Sequence, residues 1–351
     1  MNGRRPLLAG AFVAALALAF VAGRSSRPHV VAVPASRPAA VATQPASASQ
    51  PAPAATASAS VPTPAGLPDA ADEAPPDIAA VASYEDLLYA QPDLVDAAIA
   101  RVRPSVPGRP GLYALAFAGD AEENVFRNEA AYLPTLLARR FDAQDRTVQL
   151  VNSSYTFVHT PLATRSNLDQ ALAALAQRMD PDNDILLLFL TSHGSHDHQL
   201  LVEMGSLPLD QLTPQDIRMA LDQAKIRWRV IVISACYSGG FIPALREPHT
   251  LVITAASADR ASFGCGADSQ LTWFGKAFLV DGLNHSTDFP TAFADASRQI
   301  AQWERRDRQT PSQPQLWQGA LIAAKLAQWR AGLPANALAV PFVPTRKVLV
   351  R

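Results

Sequence analysis

Two apolar runs in this chain end in residues that together make a nucleophile and its base. The run LLLFLTSHGS ends on His193 and Gly194, and RVIVISACYSGG ends around Cys236. A thiol attacks a carbonyl effectively only as a thiolate, and a neighbouring imidazole or a helix amino terminus populates that form. Each run reads as a buried parallel strand that stops at a polar, glycine-containing turn. Open α/β sheets place their chemistry in the crevice beyond such carboxyl ends, so His193 and Cys236 are expected on one edge. The turn after Cys236 leads toward a short helix, whose dipole favours negative charge at its start. Gly194 has no side chain to obstruct a substrate carbonyl. Its amide and that of Cys236 are the candidate oxyanion donors. Chemistry of this kind needs no metal or organic cofactor.

The elements that must position this pair alternate along the chain. Strands are expected at 112–118, 147–151, 184–191, 228–235, 250–254 and 315–322, and helices at 124–140, 167–179, 213–224, 271–280 and 291–305. That alternation predicts βαβ units and an α/β fold, a mainly parallel central sheet flanked by helices. Asn167 and Thr213 are expected N-caps, with Pro214 suited to the first helical position. Ahead of the sheet, residues 77–110 form a helical prelude interrupted at Pro92, and residues 331–351 read as a loose tail.

The chain has 351 residues and a net charge of -1. That balance offers no electrostatic footprint for nucleic acid. Residues 1–23 combine a basic start with an apolar run at 7–23, the pattern of an export signal or a short membrane anchor. The rest is then expected outside the cytoplasm, periplasmic or secreted, tethered to the inner membrane if the anchor is retained. Residues 24–76 are rich in Ala, Pro, Ser and Thr and hold almost nothing to bury, so they read as a disordered spacer.

His-Gly at one strand end and Ser-Ala-Cys-x-Ser-Gly at another resemble the legumain family of cysteine peptidases. That family lies within the caspase-like fold group, which also contains the GPI-anchor transamidase. AGDAEENVFRNEA, TAASADRASFGCG and LTWFGKAF fall where the family has corresponding segments, and the likeness spans residues 111–325. The resemblance implies a caspase-like sandwich, a peptide or protein substrate, His193 as general base and Cys236 as nucleophile. It also implies that Arg127 and Ser262 belong to the pocket for the residue before the cut bond. Lys276 stands near where the family has a pocket aspartate. Two cations, Arg127 and Lys276, predict an acidic residue before the cut in preference to the asparagine the family accepts. Ser192 and Ser234 replace residues that are usually acidic in the family.

Other uses of the same residues compete with this reading. Cys236 and Cys265, the only two cysteines, would pair as a disulfide in an oxidising compartment. His193, His196 and His198, with Asp197 between them, invite a metal site. The same dyad serves a transamidase or ligase if an amine outcompetes water, and an inert binding module would keep the fold alone.

Overall fold

The computed structural model describes residues 83–266, 268–334 and 337–344. The expected leader at 1–23 and spacer at 24–76 lie outside the described residues. Among the described residues no helix is long and apolar enough to cross a membrane.

Six strands form one sheet: β1 (Leu112–Ala118), β2 (Thr147–Val151), β3 (Ile185–Thr191), β4 (Trp228–Ser234), β5 (Thr250–Thr254) and β6 (Gln315–Gln318). Their spatial order is β2-β1-β3-β4-β5-β6, parallel throughout except for β6, which runs antiparallel to β5. β1, β3 and β5 are buried at every position. Helices on both faces explain why these strands are continuously apolar instead of alternating.

The α-helices of six residues or more are α1 (Tyr84–Tyr89), α2 (Gln91–Ala100), α3 (Asn124–Arg140), α4 (Arg165–Ala176), α5 (Pro214–Gln223), α6 (Phe289–Arg306) and α7 (Ile322–Arg330). On one face α3, α6 and α7 pack on Ala114, Ala116, Phe189, Val232 and Ile253. On the other, α2, α4 and α5 cover Leu115, Phe117, Leu188, Ile231 and Val252. Pairwise alternation of side chains along each strand sorts the residues between these two cores.

Several expectations shift at element ends. Thr164, not Asn167, caps α4, because the buried Asn167 amide donates instead to Gln91 Oε1 and the Leu162 carbonyl, each at 2.8 Å. Thr213 caps α5 as expected, completing a reciprocal pair with Asp216. Pro92 begins α2 in its first turn, where the missing N–H costs nothing. β6 ends at Gln318, and Ile322 opens a helix that the pattern did not predict. The helix expected over 271–280 is largely π-helical, Gly275–Gly282.

The supposedly loose tail is docked at its centre. Val340 is buried in the α3-side core, its amide donates to Asn284 Oδ1 at 2.7 Å, and its carbonyl accepts from Tyr132 Oη at 2.7 Å.

One buried carboxyl ties together the elements that carry the site. Glu129 on α3 is fully buried. It accepts from Thr191 Oγ1 at the end of β3, at 2.6 Å, and from the amide and hydroxyl of Thr272, at 2.9 and 2.6 Å. The Thr272 hydroxyl lies 3.2 Å from that of Ser234, the last residue of β4. A side chain on Gly275 would collide with the Glu129 carboxyl, so this close approach requires glycine. Burial pushes the Glu129 pKa up, against the pull of its hydroxyl and amide donors.

A carboxyl that holds its proton more tightly folded than unfolded favours folding below its unfolded pKa. That advantage disappears as pH rises through the raised value. Glu129→Gln keeps the shape and cannot ionise, so its melting temperature should equal or exceed the parent's on the alkaline side. Glu129→Ala should lose about 2–4 kcal/mol at all pH values, from the cavity and the orphaned hydroxyls. Thermal denaturation across pH reads both, and a Gln variant that melts far below the parent at high pH would refute a proton-holding Glu129.

Candidate active site

The ladder between β3 and β4 runs to Thr191 opposite Ser234, and Ser192 extends it by donating to the Ser234 carbonyl at 3.3 Å. The chains then emerge side by side as His193–Gly194 and Ala235–Cys236. A Cβ on Gly194 would collide with the carbonyl of Cys236, so only glycine permits this approach. The expected shared edge for imidazole and thiol is therefore present.

Beyond Cys236 the chain reverses sharply. Tyr237 adopts a left-handed φ of 55°, and its amide donates to the Arg260 carbonyl at 2.7 Å. A 3-10 turn, Ser238–Phe241, follows. Its first hydroxyl donates to the Ala235 carbonyl at 2.7 Å and accepts from the Ala256 amide at 3.1 Å, pinning the turn to the ends of β4 and β5. The Gly194 and Cys236 amides donate no hydrogen bond among the described residues, which leaves both free for an oxyanion.

His193 is oriented by a residue that the sequence reasoning passed over. Its Nε2 lies 3.4 Å from Asp120 Oδ2, and the Phe126 ring meets the imidazole edge-on at 5.2 Å. Asp120 follows β1 and Gly119, is only 1 % exposed, and accepts the Glu122 amide on its other oxygen at 2.8 Å. Burial pushes its pKa up, while the Glu122 amide and His193 pull it down. A carboxylate directly after a fully apolar strand, on the rim that carries His193 and Cys236, was the available signal. Asp120 is the acidic group beside His193, whereas Ser192 precedes it in the chain. Nε2 faces this carboxylate, and Nδ1 is the ring nitrogen turned away from it.

Cys236 Sγ accepts from the Ser262 amide at 3.2 Å and lies 3.6 Å from both the carbonyl and the hydroxyl oxygen of that residue. It shares no hydrogen bond with His193 among the described residues. Ser262 thus sits against the Cys236 sulfur itself. Both cysteines are free, so the disulfide alternative is not formed. Cys265 is half-buried against the core, and burial pushes its thiol pKa up, with the charge of Cys236 adding to the effect.

The two expected specificity cations part company. Arg127, near the start of α3, is 3 % exposed, with its guanidinium 4.7 Å above the Tyr155 ring. Its Nε and Nη1 find no hydrogen-bond partner among the described residues, and burial lowers its pKa. Lys276 is held by an acid of its own. It projects from the π-helix toward solvent, with Nζ 2.5 and 2.6 Å from the two Asp281 oxygens, so its charge is already answered.

The histidine cluster also separates. His196 stacks on Tyr237 with ring centres 4.0 Å apart, and the His198 ring fills the space above Gly240. Among the described residues no group of three or more His, Cys, Asp or Glu is arranged to hold a metal ion.

The model of the Peptidase C13 family, the legumain family, matches residues 169–323. A search of curated proteins returns no match. Among solved structures, caspase-1 from Spodoptera frugiperda is similar with a TM-score of 0.42 and 14% identity, covering 60% of this chain and 86% of that one. The family match supports the legumain likeness read from the strand-end motifs and a cysteine-peptidase type of activity.

Two measurements probe this arrangement. Iodoacetamide near neutral pH should modify Cys236 well before Cys265. Modification of Cys265 should accelerate only above the ordinary thiol range of about 8.5, because burial disfavours its thiolate. Peptide mapping that finds equal rates would contradict this. Asp120→Asn should lower kcat by roughly 10- to 100-fold with KM little changed, since it alters the orientation and charge of the imidazole and not substrate contact.

Proposed function

We propose that this legumain-like chain is a cysteine endopeptidase that cuts after an acidic residue, above all aspartate, through an acyl-enzyme on Cys236. The support for the dyad is the juncture itself: two parallel strands in register, Gly194 against the Cys236 carbonyl, and Asp120 behind His193.

In the proposed cycle Cys236 Sγ rotates away from Ser262 and gives its proton to His193 Nδ1, while Asp120 steadies the imidazolium through Nε2. Contacts of this kind often tighten only once substrate is bound. The thiolate attacks the scissile carbonyl, and the Gly194 and Cys236 amides hold the developing oxyanion. His193 then returns its proton to the leaving amine, which departs as the C–N bond breaks. Water, deprotonated by His193, releases the acyl group and restores the thiol.

Selectivity rests on Arg127. A guanidinium shut away from water without a carboxylate is costly, and a substrate carboxylate offsets that cost by a bidentate pair. An asparagine side chain offers one acceptor and brings donors that face a cation, so it binds less well. Lys276 takes no part in this reading.

A positional-scanning peptide library tests the proposal on the parent, Cys236→Ala, Arg127→Gln and Lys276→Ala. The parent should cleave after Asp, and Cys236→Ala should be inert. Arg127→Gln should lose about 10²-fold in kcat/KM on Asp substrates, the scale of a buried charged hydrogen bond. Lys276→Ala should keep the parent's preference. Cleavage by Cys236→Ala would end the thiol mechanism, and an unchanged profile for Arg127→Gln would end the pocket assignment.

A further inference from the structure

A second binding surface lies on the free edge of the sheet. β2 is an edge strand, paired only with β1. The Ala114 amide donates to the Arg146 carbonyl and the Asn152 amide to the Ala118 carbonyl, so alternate residues 146, 148, 150 and 152 face β1. The backbone N–H and C=O groups of Thr147 and Gln149 therefore face outward. Val151, next in that outward row, has its amide taken by the Pro161 carbonyl at 2.9 Å, which closes the edge at one end.

This edge carries no lysine or proline, two of the usual protections of an exposed strand. It opens into a cavity of about 380 Å³ whose walls come from Arg101 at the end of α2, from Arg139 on α3 and from His159. Pro134 in α3 also faces this space, and its missing N–H frees the Ala130 carbonyl, which Gln149 Nε2 satisfies at 2.8 Å. The Thr147 hydroxyl is buried here without a partner among the described residues.

The charge of the groove is one-sided. Neither Arg101 nor Arg139 is paired with a carboxylate among the described residues. Asp145 is the lone acid of the lining. We propose that this groove binds an extended acidic segment of a partner protein by strand addition to β2, with main-chain bonds to Thr147 and Gln149 and carboxylates set against Arg101 and Arg139. Alternation along an added strand sends successive side chains to opposite faces, and α2 and α3 place one arginine on each.

The test is a binding measurement, independent of the peptidase reading. A fluorescein-labelled octapeptide of alternating Glu and Val is titrated, by anisotropy, into the full chain carrying Cys236→Ala. A second peptide of the same sequence has alternate amides N-methylated, removing main-chain donors without altering charge. The Glu-Val peptide should bind saturably, and Arg101→Glu with Arg139→Glu should weaken it at least ten-fold. N-methylation should weaken it comparably. Equal binding of the two peptides, or indifference to the charge reversals, would overturn strand addition. Neutralising Asp69, Asp72, Glu73 and Asp77 should leave the affinity unchanged. A ten-fold gain there would show that the occupant is the chain's own acidic stretch and would overturn the partner assignment.

Discussion

Parallel pairing of β3 with β4 in a single register is the constraint on which the site depends. With Thr191 opposite Ser234, the next turns deliver an imidazole and a thiol to neighbouring positions on one rim. A slip of one residue would turn each strand's side chains to the opposite core and carry Gly194 away from the one carbonyl it is shaped to meet. The two cores, packed tightly on both faces, therefore set the relative position of His193 and Cys236. Glu129 reinforces this from below, since the hydroxyls around it belong to the last residue of β3, the last residue of β4 and the turn before the π-helix.

Three buried ionisable groups surround the rim, and burial acts on them in different senses. It favours the neutral acid in Glu129 and Asp120 and disfavours the cation in Arg127. What each meets next decides its role. Glu129 meets only hydroxyls and an amide, which suits a structural tie. Asp120 meets an imidazole, so its charge has a mobile partner. Arg127 meets an aromatic face and nothing anionic, so its buried charge is left unanswered among the described residues.

Much of the fold was legible because its strands are apolar on both faces and end at Gly, Ser or Thr turns. The residues expected for β1, β2 and β5 coincide with the observed strands, and His193 and Cys236 fall on one edge as the motifs implied. What escaped depended on contacts between distant segments. Asn167 looks like a cap until Gln91 from α2 draws its amide inward. Lys276 reads as a lone cation in one dimension, and only the unusually wound helix brings Asp281, one turn along, against it. Val340 follows a stretch with no periodicity, and only the Tyr132 and Asn284 side chains reveal that it is anchored. Asp120 and Glu129 are ordinary acids in sequence, and burial alone makes them informative.

The reversed direction of β6 has its own consequence. Strands β1 to β5 reach the catalytic rim as they end, whereas β6 reaches it as it begins, at Gln315 opposite Thr254. The stretch leading into β6 consequently arrives at the rim from the far side, where the Ser312 carbonyl accepts the Ser257 amide at 2.9 Å. It joins the sheet outside the parallel ladder that places His193 beside Cys236. Changes of length there would leave the register of β3 and β4, and with it the spacing of His193 and Cys236, untouched.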